Sequence, residues 1–194
     1  VEEGRNIFNN IKKSIVFLLS CNIGEIITLF LAILFGWATP LKPIHLLWVN
    51  LITDTFPALA LGADTADPDV MEEKPRNPKD SLFAGGTGAF LILNGILIGV
   101  LTLAAFIVGI KVYTKSTTLF PLFPKDISQA ALTHTQTMAF VVLSVSQLFH
   151  ALNLRHPSKS IFQVGFFSNK LLIVSILLGI LLQDIVITEI GRAH

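Results

Sequence analysis

The residues best suited to chemistry lie in one apolar segment, residues 46–62, which reads LLWVNLITDTFPALALG. On a helix, Asn50, Thr53 and Asp54 occupy positions i, i+3 and i+4, so their oxygens project from one face. Pro57 has no N–H for the carbonyl of Thr53, and we expect the helix to kink or unwind there. A carboxylate in such a segment needs a partner or a ligand, and inside membrane spans it marks an ion or proton pathway. The alternative is a polar inter-helix hydrogen bond with Asp54 protonated.

A second polar pair precedes this segment. Asn22 and Glu25 stand at i and i+3, about half-way along the apolar run of residues 15–37. If the two runs are antiparallel neighbours, this pair reaches the depth of Asp54 and the two sets face each other. Two carboxylates at one depth repel when ionised unless a cation or protons neutralise them. The pattern therefore indicates a site that exchanges a metal ion for protons.

The donors in both sets are carboxylate, amide and hydroxyl oxygens. These hard ligands suit Ca²⁺, which takes roughly six to eight of them. Gln147, in a later run, is a further candidate, and the loosened backbone near Pro57 adds carbonyls. We find no cysteine and no histidine pair near this depth, which disfavours zinc or copper. The predicted metal ligands are Asn22, Glu25, Asn50, Thr53, Asp54 and Gln147, and no catalytic residue is predicted.

The elements that position these residues have the composition of a membrane protein. Hydrophobic residues make up 52% of the chain and charged residues 14%, whereas soluble domains average about 25% charged. The mean hydropathy is +0.69. A net charge of +1 without a basic stripe argues against nucleic acid as a partner and leaves membrane lipid. The lone Cys21 is interpreted as a small core residue.

We predict an all-α, polytopic transmembrane helical bundle of about five spans that form a single transport domain, with a proline-broken second span. A cytoplasmic stalk start is expected at residues 1–14. The five spans are expected at residues 15–37, 44–62, 84–112, 134–153 and 170–190. The loops are expected at residues 63–83, 113–133 and 154–169. In the third span, Gly95 and Gly99 form a small-xxx-small pair that allows close helix packing.

The distribution of positive charge predicts the orientation. Nine of the 14 lysine and arginine residues fall in the N-terminal flank, the loop after the second span and the loop between the fourth and fifth. Because cytoplasmic loops carry the excess of positive charge, the N-terminus and the 63–83 loop are expected on the cytoplasmic side. The 113–133 loop is then extracytoplasmic, and the short loops fit a bacterial plasma membrane.

Several motifs in order resemble a known family. VEEGRNIFNNIKKSI at residues 1–15, NIGE at 22–25, the 46–62 segment and ADPDVMEEKPR at 66–76 closely resemble the C-terminal membrane half of P-type cation pumps. The likeness is to helices five to nine of the calcium-transporting type-two group. It implies that Asn22 and Glu25, with Asn50, Thr53 and Asp54, bind transported Ca²⁺.

The resemblance also implies limits. Gln147 aligns with a position that is glutamate in reticulum-type pumps and glutamine in plasma-membrane-type pumps, so one or two ions per cycle both fit. The family's phosphorylation motif, nucleotide domain, actuator loop and helix-four segment are absent from the sequence. ATP and Mg²⁺ would act only through such domains, which with the missing N-terminal helices are the implied partners, and this chain would not hydrolyse ATP alone. Lacking a tenth helix and ending in a polar stretch, the chain is expected to have a truncated or altered C-terminus.

The function predicted is the membrane transport half of an ATP-driven cation pump that moves Ca²⁺ out of the cytoplasm, with protons as an optional counter-ion. Mn²⁺ and monovalent ions stay open alternatives. Two other classes also fit the residues: a freestanding secondary cation/proton exchanger that uses the same carboxylates, and a structural membrane subunit whose polar residues only join helices.

Overall fold

The structure is a computed structural model that describes residues 2–64, 68–71, 81–114, 127–156, 164–165 and 167–192. Within these residues it contains five long helices and a short 3₁₀ turn at Pro68–Met71. The helices are α1 (Glu2–Leu34), α2 (Pro43–Gly62), α3 (Thr87–Thr114), α4 (Gln129–Asn153) and α5 (Lys170–Arg192). All five are long and apolar enough to cross a membrane. The predicted all-α bundle of about five spans is confirmed.

The helix ends differ from the predicted span ends where local signals act. Helix α1 is continuous from Glu2, because the polar stalk sequence contains no proline to stop it. Helix α4 begins before the predicted residue 134, since Ser128 caps it by accepting a hydrogen bond from the backbone N–H of Ala131. The predicted loops at 63–83, 113–133 and 154–169 lie partly outside the described residues.

Helices α1 and α3 approach closely at a cluster of glycines. A Cβ on Gly95 would lie 2.5 Å from Cγ2 of Ile23, and one on Gly99 would lie 3.0 Å from the carbonyl of Gly24. Only glycine permits this separation, so the packing predicted for the pair of glycines is confirmed. Thr28 reinforces the contact by donating to the carbonyl of Gly99 across 3.4 Å. The crossing fixes the backbone of α1 immediately before Glu25.

The bundle has two buried apolar clusters and an apolar outer surface. One cluster, which includes Phe106 and Phe140, lies between α3 and α4, and the other, which includes Phe17 and Leu61, joins α1 to α2. Large side chains such as Ile33, Leu93 and Leu177 are exposed on the outside. This outer surface matches the hydrocarbon of a lipid bilayer, since a helix that is apolar all round needs an apolar environment.

Candidate cation site

Helix α2 loses its regular hydrogen bonding beside the polar cluster. Residues Val49–Thr53 form a π-helical turn, closed by the N–H of Asp54, which donates to the carbonyl of Val49 across 2.9 Å. An α-helix resumes at Thr55–Gly62. Thr55 Oγ1 donates to the carbonyl of Asn50 across 3.2 Å, so a side chain stabilises the break. The predicted break is confirmed, and it lies one turn before Pro57.

The structure brings three of the predicted ligands into direct contact through Glu25. Asn50 Nδ2 donates to Oε2 of Glu25 across 2.8 Å, and Gln147 Nε2 donates to Oε1 across 3.2 Å. One carboxylate therefore joins α1, α2 and α4. Gln147 is fully buried and Glu25 is 6% exposed, so both hydrogen bonds lie where water is scarce. Hydrogen bonds to an ionised carboxylate are among the stronger ones in proteins.

Thr53 and Asp54 lie in the interior of the bundle with their oxygens unused. Asp54 is 0% exposed and Thr53 is 1% exposed. Among the described residues, no donor hydrogen-bonds to either carboxylate oxygen of Asp54 or to Oγ1 of Thr53, and Oε1 of Gln147 is likewise without a partner. Buried polar atoms normally have partners, so these four oxygens are acceptors that a cation or a proton could use.

The remaining predicted ligand, Asn22, is not joined to the others. It is half-buried on α1, one turn before Glu25, and takes no part in these hydrogen bonds. Asn50 is exposed even though its amide binds Glu25. Of the six predicted ligands, the structure therefore joins Glu25, Asn50 and Gln147 by hydrogen bonds and buries Thr53 and Asp54, whereas Asn22 and Asn50 are more exposed.

The chemistry of the donor set favours a hard cation. The described residues contain no group of three or more histidine, cysteine, aspartate and glutamate side chains arranged to hold a metal, so two carboxylates must be supplemented by amide, hydroxyl or backbone oxygens. The prediction that no cysteine lies near the depth of the two carboxylates is wrong. Cys21 is 0% exposed and lies near Asp54 and Glu25 in the interior of the bundle. A single thiol is still too few for the usual zinc sites.

The prediction missed a polar network at the end of the bundle where α1 begins. Asp64 accepts from Lys13 Nζ at 3.3 Å, from Arg155 Nη2 at 3.2 Å and from Asn169 Nδ2 at 2.9 Å. Asn10 Nδ2 donates to the backbone carbonyl of Asp64 across 2.8 Å. The signal was available: Asp64 stands two residues after the end of α2 and Arg155 two residues after the end of α4. An antiparallel topology places both ends on one side of the membrane.

Comparison with known proteins identifies the class. Residues 38–192 match the family described as cation transporting ATPase, C-terminus, and the chain belongs to that family. It is 68% identical over 97% of its length to calcium-transporting ATPase 1 of Bacillus cereus, of which it covers 21%. It is 42% identical over 96% of its length to the calcium-transporting ATPase of Bacillus subtilis, covering 19%.

The likeness extends to a plant protein. The chain is 34% identical over 96% of its length to calcium-transporting ATPase 3, endoplasmic reticulum-type, of Arabidopsis thaliana, of which it covers 20%. The chain thus spans about a fifth of the length of these relatives. Together with the five apolar helices, the family membership makes it an integral membrane protein.

Proposed function

We propose that this chain is the membrane transport part of an ATP-driven pump that moves Ca²⁺ out of the cytoplasm. The observation that carries the proposal is the pair of buried carboxylates, Glu25 bonded to two amides and Asp54 with both oxygens free of donors among the described residues. Such a pair is costly in an apolar interior unless cations or protons neutralise it. The relatives that match the chain over nearly all of its length are named calcium-transporting ATPases.

The six residues take different roles in this proposal. Glu25 and Asp54 are the charged ligands, Asn22, Asn50 and Thr53 are neutral oxygen ligands, and Gln147 is peripheral. Carbonyls in the π-helical turn at Val49–Thr53 are close enough in sequence to join them. Since Ca²⁺ takes roughly six to eight oxygens, and Asn22 and Asn50 are more exposed than the other ligands, further ligands come from outside this chain.

Protons are the proposed counter-ions. When Ca²⁺ leaves, the amides that bond to Glu25 stabilise one carboxylate, but no described residue donates to the carboxylate oxygens of Asp54. Protonation neutralises the pair, and Ca²⁺ displaces the protons when it returns. Uptake is therefore expected to release protons on the side from which Ca²⁺ binds.

The energy source lies outside the chain in this proposal. ATP and Mg²⁺ act on phosphorylation and nucleotide domains of the complete pump, and those domains, with the N-terminal helices, are the partners of this segment. We place the N-terminus of α1 and the end of α2 on the cytoplasmic side of a bacterial plasma membrane, as the positive charges and the Bacillus relatives suggest.

The test is ATP-dependent uptake of radioactive Ca²⁺ by inside-out vesicles that contain the complete protein carrying this chain. Glu25→Gln and Asp54→Asn should each reduce uptake to background. Asp184→Asn, the same change at an exposed residue of α5, should leave it intact. Wild-type uptake in both site variants would contradict the proposal, and uptake driven by a proton gradient without ATP would favour a secondary exchanger.

A further inference from the structure

A cavity lies away from the carboxylates of Glu25 and Asp54, at the end of the bundle where α1 begins, α3 begins and α4 ends. Its volume is about 390 Å³, within the range of cavities that bind small molecules. All of its lining residues belong to the described part of the chain, and none of them carries a carboxylate. The site proposed for Ca²⁺ contributes no residue to it, so it requires a separate explanation.

The polar lining of this cavity is basic and rich in hydrogen-bond donors. Three cationic side chains, of Lys12, Lys13 and Arg155, line it together with asparagine amides. Lys13 and Arg155 share one carboxylate, that of Asp64, which does not line the cavity. Lys12 forms no ion pair with any described residue. The lining therefore carries more positive charge than the described residues neutralise, and it suits an anion.

Arg155 provides an independent sign of a missing ligand. Its side chain is 2% exposed. Nη1 donates to the carbonyl of Gly165 across 2.9 Å, and Nη2 donates to Asp64 Oδ1 and to Ser168 Oγ. Nε, however, has no acceptor among the described residues. A buried guanidinium N–H normally has a partner, so Nε of this lining residue is available to an acceptor oxygen of a ligand.

The start of α3 also favours an anion in this cavity. Gly85 and Gly86 line the cavity with φ of 69° and 86°, and a Cβ on either would meet nothing within 4 Å. Thr87 then begins a helix of 28 residues, whose N-terminus favours negative charge. The left-handed glycines turn the chain into the helix while leaving the space in front of it open.

We infer that this cavity binds a phosphate-bearing anion, either the headgroup of an anionic phospholipid or free phosphate. Phosphate oxygens match the Arg155 N–H, the Lys12 ammonium and the amides around them. Apolar side chains of Val16, Phe90 and Leu154 complete the lining. A cavity with basic side chains on one part of its lining and apolar side chains on another suits a phospholipid headgroup together with the first carbons of its acyl chains.

Two probes distinguish the sources. Phosphatidylglycerol bound per protein is counted by native mass spectrometry on the complete protein in detergent, with zwitterionic phosphatidylcholine as the comparison. Inorganic phosphate is titrated into lipid-free protein by calorimetry. Preferential binding of phosphatidylglycerol alone supports a headgroup site, and binding of inorganic phosphate supports a site for the free anion. If neither phosphatidylglycerol over phosphatidylcholine nor phosphate binds, the inference is overturned.

Variants assign the binding to this cavity. Lys12→Gln should weaken binding of the effective probe roughly fivefold, because a single solvated charge contributes up to about 1 kcal/mol and 1.4 kcal/mol is tenfold. Asn9→Asp, which adds a negative charge to the lining, should weaken it as well. Lys111→Gln, the same charge change on an exposed residue near the other end of α3, should have no effect. Equal loss in Lys12→Gln and Lys111→Gln would show non-specific attraction and refute the site.

Discussion

The side-chain amide of Asn50 donates to Oε2 of Glu25 across 2.8 Å, and this hydrogen bond joins the irregular turn of α2 to the continuous helix α1. The same amide group also donates to the carbonyl of Leu46 across 2.9 Å, within its own helix. Asn50 is thus oriented by two acceptors, with its carbonyl oxygen left for a ligand. The position of one carboxylate depends on the conformation of a neighbouring helix.

Asn50→Leu should lower the apparent affinity for Ca²⁺ about tenfold, since it removes one ligand oxygen and one donor to Glu25, together worth ~1.4 kcal/mol. The measurement is the Ca²⁺ concentration that half-saturates ATP-dependent uptake by the complete protein. Asn94→Leu is the matched control, because Asn94 donates to Phe90 of its own helix. An equal change in both variants would indicate a general effect on the bundle.

Gln147→Glu should make the thermal stability of the protein depend more strongly on Ca²⁺ than it does in the wild type. The substitution replaces the donor to Glu25 Oε1 with a carboxylate, so two buried negative groups oppose each other until a cation arrives. The midpoint of thermal unfolding should fall without Ca²⁺ and should rise more than that of the wild type when Ca²⁺ is added.

Gln136→Glu is the control for this effect. Gln136 is also buried on α4, but it donates to the carbonyl of Thr39, and no carboxylate of a described residue accepts from it. This variant should lose stability and regain none of it with Ca²⁺. A Ca²⁺-dependent recovery equal to that of Gln147→Glu would contradict the placement of Gln147 at the cation site.

Much of the fold was predictable from the sequence because a bilayer imposes strong rules. An apolar run of about 20 residues spans it, and only helices satisfy their backbone groups there. The break in α2 was predictable from Pro57, since proline removes one particular hydrogen bond. That the irregular turn extends back to Val49 was not, because a π-helical turn leaves no distinct signature in residue types.

The buried polar residues could be picked out from the sequence, but the hydrogen bonds between them could not. Polar residues in apolar runs stand out, so Glu25, Asp54 and Gln147 were singled out from their types, and their role as metal ligands stays a prediction. Which of them bond depends on the rotation and depth of helices far apart in sequence, and Asn22 accordingly lies apart from the hydrogen bonds. Cys21 was misplaced for the same reason: its proximity to Asp54 depends on the packing of α1 against α2.

Gly95→Ala should destabilise the protein by about 1–3 kcal/mol, the usual cost of forcing an extra methyl into a packed interior. The added Cβ would lie 2.5 Å from Cγ2 of Ile23 and 3.0 Å from the carbonyl of Ser20, and the backbone atom cannot move aside without shifting α1. The free energy of unfolding in detergent measures the effect. Gly88→Ala, whose Cβ would lie 3.5 Å from Phe83, should be neutral or slightly stabilising. Equal effects at both positions would show that the close approach is not limiting.

Asp64→Asn should be more destabilising than Lys13→Gln. The Arg155 side chain in the pair with Asp64 is 2% exposed, whereas the Lys13 side chain is 17% exposed. Asp64→Asn leaves a buried guanidinium without its counter-charge, which should lower the free energy of unfolding by about 3–5 kcal/mol. Lys13→Gln removes a partly solvated charge, which should lower it by about 1 kcal/mol or less. The check is a double-mutant cycle for unfolding. Additive losses in Asp64→Asn/Arg155→Gln would contradict direct coupling.

Pro57→Ala should lower Ca²⁺ affinity while changing stability by no more than about 1 kcal/mol. Alanine restores an N–H that can donate to the carbonyl of Thr53, and it favours a regular helix through the polar cluster. A regular helix would draw carbonyl oxygens into internal hydrogen bonds and rotate Asn50 relative to Glu25, so both backbone and side-chain ligands would be lost.

Pro43→Ala is the control, because Pro43 begins α2 where no helical N–H is needed. Half-saturating Ca²⁺ and the unfolding midpoint should be measured on the same preparations. Unchanged affinity in Pro57→Ala, with stability retained, would show that the irregular turn does not depend on the proline or does not serve the ion.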